Sequence, residues 1–364
     1  MFLNPVRGQG VSRYVPILVL TLLASVSCSD GSGGPGNGGS AVRGPWLGQT
    51  PPGDEPVLFA PGIVSTHLFN RDLVMTRDGH EIWFGFGAGG TLGLAMTRIE
   101  DGRWTVPEIA PFSTFPRYAD FEPALSPDGD RIYFLSNRPP PGREEEFRPG
   151  TWGFQHIWYS DRTVEGWSEP QLLPPPVTTD DFQYYPSLTR EGVLYYTSSL
   201  PGGKPTTMRA EPAGDFFAEP VALDADWNRE GSPYNCFIDP EERFILICLA
   251  WEGSIGAVDY WISFRGEDNT WSEPVNPGEK VNWPGGQASS ASLSPDGRYL
   301  FFAATRVALE QMMSGPRATY DEIMTCARTP ENGNPSIYWM DAGFIDELRP
   351  AGFEAVSDEE GGHR

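Results

Sequence analysis

Polar turns recur along this chain at a nearly constant spacing, each set between two short apolar runs. They are Thr76-Arg77-Asp78-Gly79, Ser126-Pro127-Asp128-Gly129, Thr189-Arg190-Glu191-Gly192, Asp239-Pro240-Glu241-Glu242 and Ser294-Pro295-Asp296-Gly297. Their third residues lie 50 (78 to 128), 63 (128 to 191), 50 (191 to 241) and 55 (241 to 296) positions apart. An aromatic residue three before a proline belongs to the same repeat: Trp104 with Pro107, Trp167 with Pro170, Phe217 with Pro220 and Trp271 with Pro274. The run before each turn reads as an innermost strand, as at 122–125. The run after it reads as a second strand, at 131–136, 193–197, 243–248 and 299–303, and third strands follow at 156–160, 260–264 and 337–341. The second strands are apolar on both faces, as in a sheet packed between two others. The aromatic–proline element opens an outermost strand, whose free edge tolerates proline. A period of roughly 50 residues built only of strand and turn signals predicts a β-propeller with one four-stranded blade per repeat.

The expected fold is all-β, a five-bladed propeller of antiparallel blades, with a six-bladed ring as the alternative. The fifth repeat has no aromatic–proline segment after Ile337. The missing piece lies at the other end of the chain, where Glu55-Pro56-Val57-Leu58-Phe59-Ala60 reads like Glu169-Pro170-Gln171-Leu172-Leu173-Pro174. The N-terminal strand is therefore expected to complete the last blade and close the ring non-covalently, leaving few open edges. A short helix is expected at 342–348, outside the blades, and the repeat tryptophans are expected to pack between them.

Composition adds limits. The 42 Gly and 36 Pro fit many short strands joined by turns. A balance of 26 basic against 49 acidic residues, net −23, excludes nucleic acid and an anionic lipid surface as partners. It reads first as a solvating acidic surface. Near the N-terminus, Arg7 and Arg13 precede an apolar stretch at 15–24 and the small residues Ser25-Val26-Ser27. That is the pattern of an export signal, too short for a membrane span. With Cys28 it resembles a bacterial lipoprotein signal, which implies lipidation of Cys28; Ser25 departs from the leucine usual in that pattern. Residues 1–27 are read as signal peptide, 28–49 as a flexible Gly/Ser-rich tether, 50–350 as the propeller and 351–364 as a disordered acidic tail. The expected location is the bacterial cell envelope, lipid-anchored at the outer membrane. Cys236, Cys248 and Cys326 read as small buried hydrophobes, with a disulfide as the alternative. Counting from Ile238 opposite Arg243 sets Cys236 against Ile245. No Cys or His spacing suits structural zinc.

Phe121-Glu122-Pro-Ala-Leu-Ser-Pro-Asp-Gly129, Ile132-Tyr-Phe-Leu-Ser-Asn-Arg138, Ile157-Trp-Tyr-Ser160 and Trp167-Ser-Glu-Pro170 resemble the repeats of TolB-like (PD40) propellers. The likeness extends over 50–350. It implies a propeller fold and leaves function open, because such propellers include protein-binding envelope components, domains fused to peptidases, and sugar-acting relatives.

Propeller geometry puts the turns above on one face. The opposite face gathers the loops entering each blade and two long insertions, 138–155 and 306–336. Long loops on a rigid scaffold are where binding usually resides. The candidate ligand-binding residues expected near that face are Asp72, Asp120, Glu122, Arg138, Asp181, Glu230 and Arg306, beside Arg71, Asp180 and Arg229. Such carboxylates could meet a cation, a basic peptide segment or a sugar, or pair with the arginines to tie blades together. No catalytic residue, cofactor or metal is assigned: there is no nucleophile elbow and no phosphate-binding loop. His67, His80, His156 and His363 are too dispersed for a metal centre. The expectation is a monomeric module binding a protein or an extended ligand such as a glycan or peptide. The alternative is a carbohydrate-active enzyme with two axial carboxylates.

Overall fold

The computed structural model describes residues 42–199 and 203–353. The export signal, Cys28 and most of the tether lie outside the described residues, as does the tail from 354 onward. The described chain forms a five-bladed β-propeller of small antiparallel sheets. Blade 1 runs from the axis outward as Phe69–Met75, Glu81–Ala88 and Thr91–Glu100, and blade 2 as Asp120–Leu125, Arg131–Ser136 and His156–Thr163. Blade 3 is Phe182–Leu188, Leu194–Ser199, Thr206–Ala210 and Val221–Ala222. Blade 4 is Tyr234–Ile238, Phe244–Leu249 and Asp259–Phe264, with Val275 bridging to Ile262 at its outer edge. The fourth strand of blades 1 and 2 is broken at the repeat's proline. Trp104 pairs with Ile99, and beyond Pro107 the chain pairs again, Ile109 with Ala95.

Blade 5 contains Ala291–Leu293, Tyr299–Val307 and Asn332–Asp341, and its outer strand is Val57–Leu58 from the other end of the chain. Val57 pairs with Trp339 and Leu58 with Tyr338. The closure is apolar as well as hydrogen-bonded: Phe59, fully buried, packs edge-on against Phe301 and Trp339 at 5.0 and 5.2 Å between ring centroids. Burying one such ring is worth up to about 3 kcal/mol. Residues 42–49, expected as tether, pack on the body as well. Trp46 lies 5.3 Å from Tyr299, and the indole of Trp104 donates to Gly44 O at 2.8 Å. The helix Phe344–Glu347 follows the last strand with Ile345 buried, and Phe353, expected in the tail, packs at the edge of the same core.

The core lies between blades. Trp83, Phe112 and Phe134 fill the contact of blades 1 and 2 with Trp167 edge-on to Trp83, as expected for the repeat tryptophans. In the turns, the acid's carboxylate accepts from the hydroxyl two residues before it: Thr76 to Asp78, Ser126 to Asp128 and Ser294 to Asp296, each at 2.6 Å. The next residue then adopts positive φ, which suits Gly79, Gly129, Gly192 and Gly297. In the fourth turn that place is taken by Glu242 at φ 54°. Tyr195 and Arg265 hold its carboxylate at 2.6 Å each, so the strained residue clamps blade 3 to blade 4.

Cys236, Cys248 and Cys326 are free and buried. The register around the first two differs from the expected one: the turn closes from Asp239 N to Phe244 O and so sets Ile238 against Ile245, and a bulge between Tyr234 and Phe237 then sets Tyr234 against Cys248.

Candidate functional site at the propeller axis

The bulge of blade 4 is one of a set. Blades 1 to 4 each break register at the same point of the innermost strand, between Arg71 and Val74, Phe121 and Ala124, Tyr184 and Ser187, and Tyr234 and Phe237. In each, the residue six before the turn's acid is left-handed: Asp72 (φ 59°), Glu122 (54°), Tyr185 (52°) and Asn235 (49°). Left-handed conformation in non-glycine residues costs on the order of 1 kcal/mol or more apiece and persists where the surroundings fix it. Here it turns four polar side chains toward one another at the axis.

They form a hydrogen-bonded hub drawn from all five blades. Arg71 Nε donates to Asp72 Oδ1 at 2.7 Å, and Arg71 Nη2 donates to Glu122 Oε1 at 2.9 Å and to Ser289 O at 3.1 Å. Glu122 also accepts from Tyr185 N at 2.9 Å and Asn235 Nδ2 at 3.3 Å. Asp72 N donates to Ser290 Oγ, and Tyr185 Oη bridges to Ala291 O and N across the axis. Asp72 and Glu122 keep only 1% and 4% of their side-chain surface exposed. Burial pushes the Glu122 carboxyl up to about 8, against the pull of Arg71 and helped by the nearby Asp72 charge. Burial raises Asp72 too. Burial alone would lower Arg71, but the two carboxylates hold it well above its ordinary value. Asp72 Oδ2 is buried without a hydrogen-bond partner among the described residues. It lies against Gly85, where a Cβ would come within 2.9 Å.

Toward the turn face the axis changes character. A cavity of about 180 Å³ opens there, with Asp72 and Tyr185 among its lining at the hub end. Its collar is one half-buried apolar side chain per blade: Met75, Leu125, Leu188, Phe237 and Leu293. The polar rim includes Thr76, Arg77, Ser126 and Arg190.

Of the residues expected from sequence, the structure brings Asp72 and Glu122 together on Arg71. Asp120 and Arg138 form a separate buried ion pair, with Ser113 and Ser136 donating to Asp120 at 2.8 Å. Asp181 is half-buried with its backbone bonded to Thr179 and Gln183, and Glu230 is exposed at the end of the helix Asp226–Glu230. Neither takes part in the hub's hydrogen bonds. They stand ten (191 − 181) and eleven (241 − 230) residues before their turn acids, not six. Arg229 pairs with Asp224 and Asp226. Arg306 stacks 3.6 Å over Trp283 and reaches Glu331 at 3.9 Å. Sequence reasoning missed Tyr185, Asn235, Ser289 and Ser290. Aligning the repeats on their turn acids gives Asp72, Glu122, Tyr185, Asn235 and Ser290 at one position, polar in every blade. His156 is bound to Gln183 at 2.8 Å. Among the described residues no group of three or more His, Cys, Asp or Glu could hold a metal ion, and no helix is long and apolar enough to cross a membrane.

No protein-family model and no curated protein matches the chain. Solved structures do. A TolB from Acinetobacter baumannii aligns with 75% of this chain and 54% of its own, at 13% identity and a TM-score of 0.41. An α-L-arabinofuranosidase from Lactobacillus brevis aligns over 81% and 98%, at 12% identity and 0.43. A puromycin-hydrolyzing peptidase of Mycobacterium tuberculosis aligns over 65% and 34%, at 12% identity and 0.38. The chain thus spans about half the length of that TolB and a third of the peptidase. By its own blade construction the chain is a five-bladed β-propeller. The likeness concerns the fold alone.

Proposed function

We propose that this protein is a binding module of the bacterial envelope that seats an apolar segment of a protein partner in the axial funnel of its turn face. The observation that carries the reading is the collar, in which each of the five blades presents one half-buried apolar side chain to the same open cavity. Concave, mostly apolar sites with a few convergent polar groups are the usual form of a ligand pocket. The sequence pointed instead to the insertion-bearing face. There Trp152 of the 138–155 loop packs edge-on against Phe121 of the innermost strand at 5.4 Å, and Phe147 packs on Tyr118 at 4.8 Å. That loop is spent on covering its own blade. The carbohydrate-active alternative gains no support, because Asp72 and Glu122 are shut into salt bridges with Arg71 and Asp120 into one with Arg138.

Selection of displayed peptides on the whole protein tests the funnel. Selected peptides are expected to lose at least about tenfold in affinity on Leu188→Arg and none on Val164→Arg, a change at a fully exposed outer position. Equal effects of the two changes would sink the reading. Envelope anchoring through Cys28 belongs to the same proposal and rests on the lipoprotein-like signal. Cys28→Ser is expected to abolish palmitate labelling and release the protein from the membrane fraction.

A further inference from the structure

We propose that the protein partner enters the funnel by its C-terminal residue, with an apolar side chain against the five-blade collar and the α-carboxylate at Arg77. This rests on the funnel reading and names what the partner presents to it.

The charges at the mouth carry the assignment. The second residue of every turn lines the cavity: Arg77, Pro127, Arg190, Pro240 and Pro295. The third residues, Asp78, Asp128, Glu191, Glu241 and Asp296, are not part of that lining. Asp78, Asp128 and Asp296 accept from the hydroxyls of their own turns, and Glu241 pairs with Arg190. The one acid in the lining among the described residues is Asp72, at the floor and paired with Arg71. Acids outnumber bases 49 to 26 along the chain, yet the mouth of this cavity presents arginine and proline. Arg190 gives its Nε to Glu241. Arg77 is exposed, and among the described residues its side chain makes no hydrogen bond, ion pair or ring contact. An arginine at the rim of an apolar pocket is complementary to a carboxylate, which its planar fork can hold by two parallel hydrogen bonds.

The shape of the cavity selects a chain end. Its floor is the hydrogen-bonded hub, so the axis is blind. Its volume of about 180 Å³ falls below the roughly 300–1,000 Å³ of pockets that enclose whole small ligands, and suits one large side chain. Arg77 stands two residues beyond Met75, at most about 7 Å along the strand. The cation and the collar must therefore be met by groups close together in the ligand. A C-terminal residue carries its side chain and its carboxylate on one Cα. Within an extended chain neighbouring side chains point to opposite faces, so an internal acid on the same face requires the chain to run across the mouth. Capture of a C-terminal carboxylate is a recurring mode of peptide recognition.

Calorimetric titration of the whole protein with four probes tests the assignment. They are acetyl-Ser-Gly-Leu-Leu as the free acid, the same peptide as its carboxamide, acetyl-Leu-Gly-Asp-Gly carboxamide with an internal acid, and hexanoate. The free acid is expected to bind at least about tenfold more tightly than the carboxamide or the internal acid, and more tightly than hexanoate. Arg77→Gln should remove that preference and leave the carboxamide within about twofold of its native affinity. On the native protein, raising salt from about 0.05 to 0.5 M should weaken the free acid and not the carboxamide. Equal affinity of free acid and carboxamide, or equal losses of both on Arg77→Gln, would overturn the carboxylate and leave the funnel. The internal acid binding as tightly as the free acid would overturn the terminal position. Hexanoate binding as tightly would assign the pocket to a fatty acid instead. Binding of none of the four would overturn the funnel as well.

Discussion

The axis of this propeller has two regions made from the same five strands, two or three residues apart, and they do opposite things. At the hub, residues six before the turn acid are polar, left-handed in four blades, and tied across all five blades with almost no surface left exposed. At the collar, the strands present Met75, Leu125, Leu188, Phe237 and Leu293, apolar, half-buried and lining the cavity. The hub spends its polar groups on one another, so its effect is to hold the ring. The collar leaves apolar surface unburied, which a folded protein retains at a cost in solubility and which commonly marks a place for a partner. The lesson is that axial carboxylates in a propeller are not by themselves a ligand site. Whether their hydrogen bonds are already taken decides it.

The comparison breaks most completely if the ring opens. Deleting residues 50–62 removes the outer strand of blade 5 and the fully buried Phe59. Cooperative urea unfolding should be lost, and a truncated protein that melts like its parent would contradict the closure. Arg71→Met strikes the hub alone. It leaves Asp72 and Glu122 buried without their cation, a loss on the order of 3–5 kcal/mol in unfolding free energy.

A gentler probe is pH. The Glu122 carboxyl is raised to about 8 in the folded state, above its ordinary value of 4.5, so its stabilising contribution is complete below the unfolded value and is lost as pH rises through 8. Between about pH 5 and 8 the native protein should lose stability, by at most about 1.4 kcal/mol per pH unit from this group. Glu122→Gln should flatten that slope, and parallel profiles for the two proteins would show that the hub does not titrate. The smallest effect is expected at the collar. Leu188→Ala should cost on the order of 1 kcal/mol in unfolding, because the side chain is half-buried at the edge of the core between blades 2 and 3, while weakening whatever apolar ligand the funnel takes.

Much of this fold was legible because propeller repeats write themselves twice, once in the Ser-Pro-Asp-Gly turns and once in the aromatic–proline element. The N-terminal strand could be assigned to the last blade because Glu55–Ala60 copies a segment the fifth repeat lacks. The site was harder to read. Asp72, Glu122 and Arg71 stand out as charges in apolar strands, but pairing Asp181 and Glu230 with them ignored their register against the turns. Tyr185 and Asn235 carry no signal individually: a tyrosine and an asparagine in a strand are unremarkable until a bulge turns them inward. A bulge has no marker here because none of the four left-handed residues is glycine. The cavity was unreadable for a related reason, since half-buried collar residues and fully buried core residues look alike in a sequence.

The most direct test of the division between hub and collar is calorimetric titration of hexan-1-ol into the native protein and into Leu188→Arg, with both unfolding midpoints recorded. Saturable binding to the native protein, its loss in Leu188→Arg and nearly unchanged midpoints are the predicted result. Equal binding to the two proteins, or none to the native one, would contradict the assignment of binding to the collar.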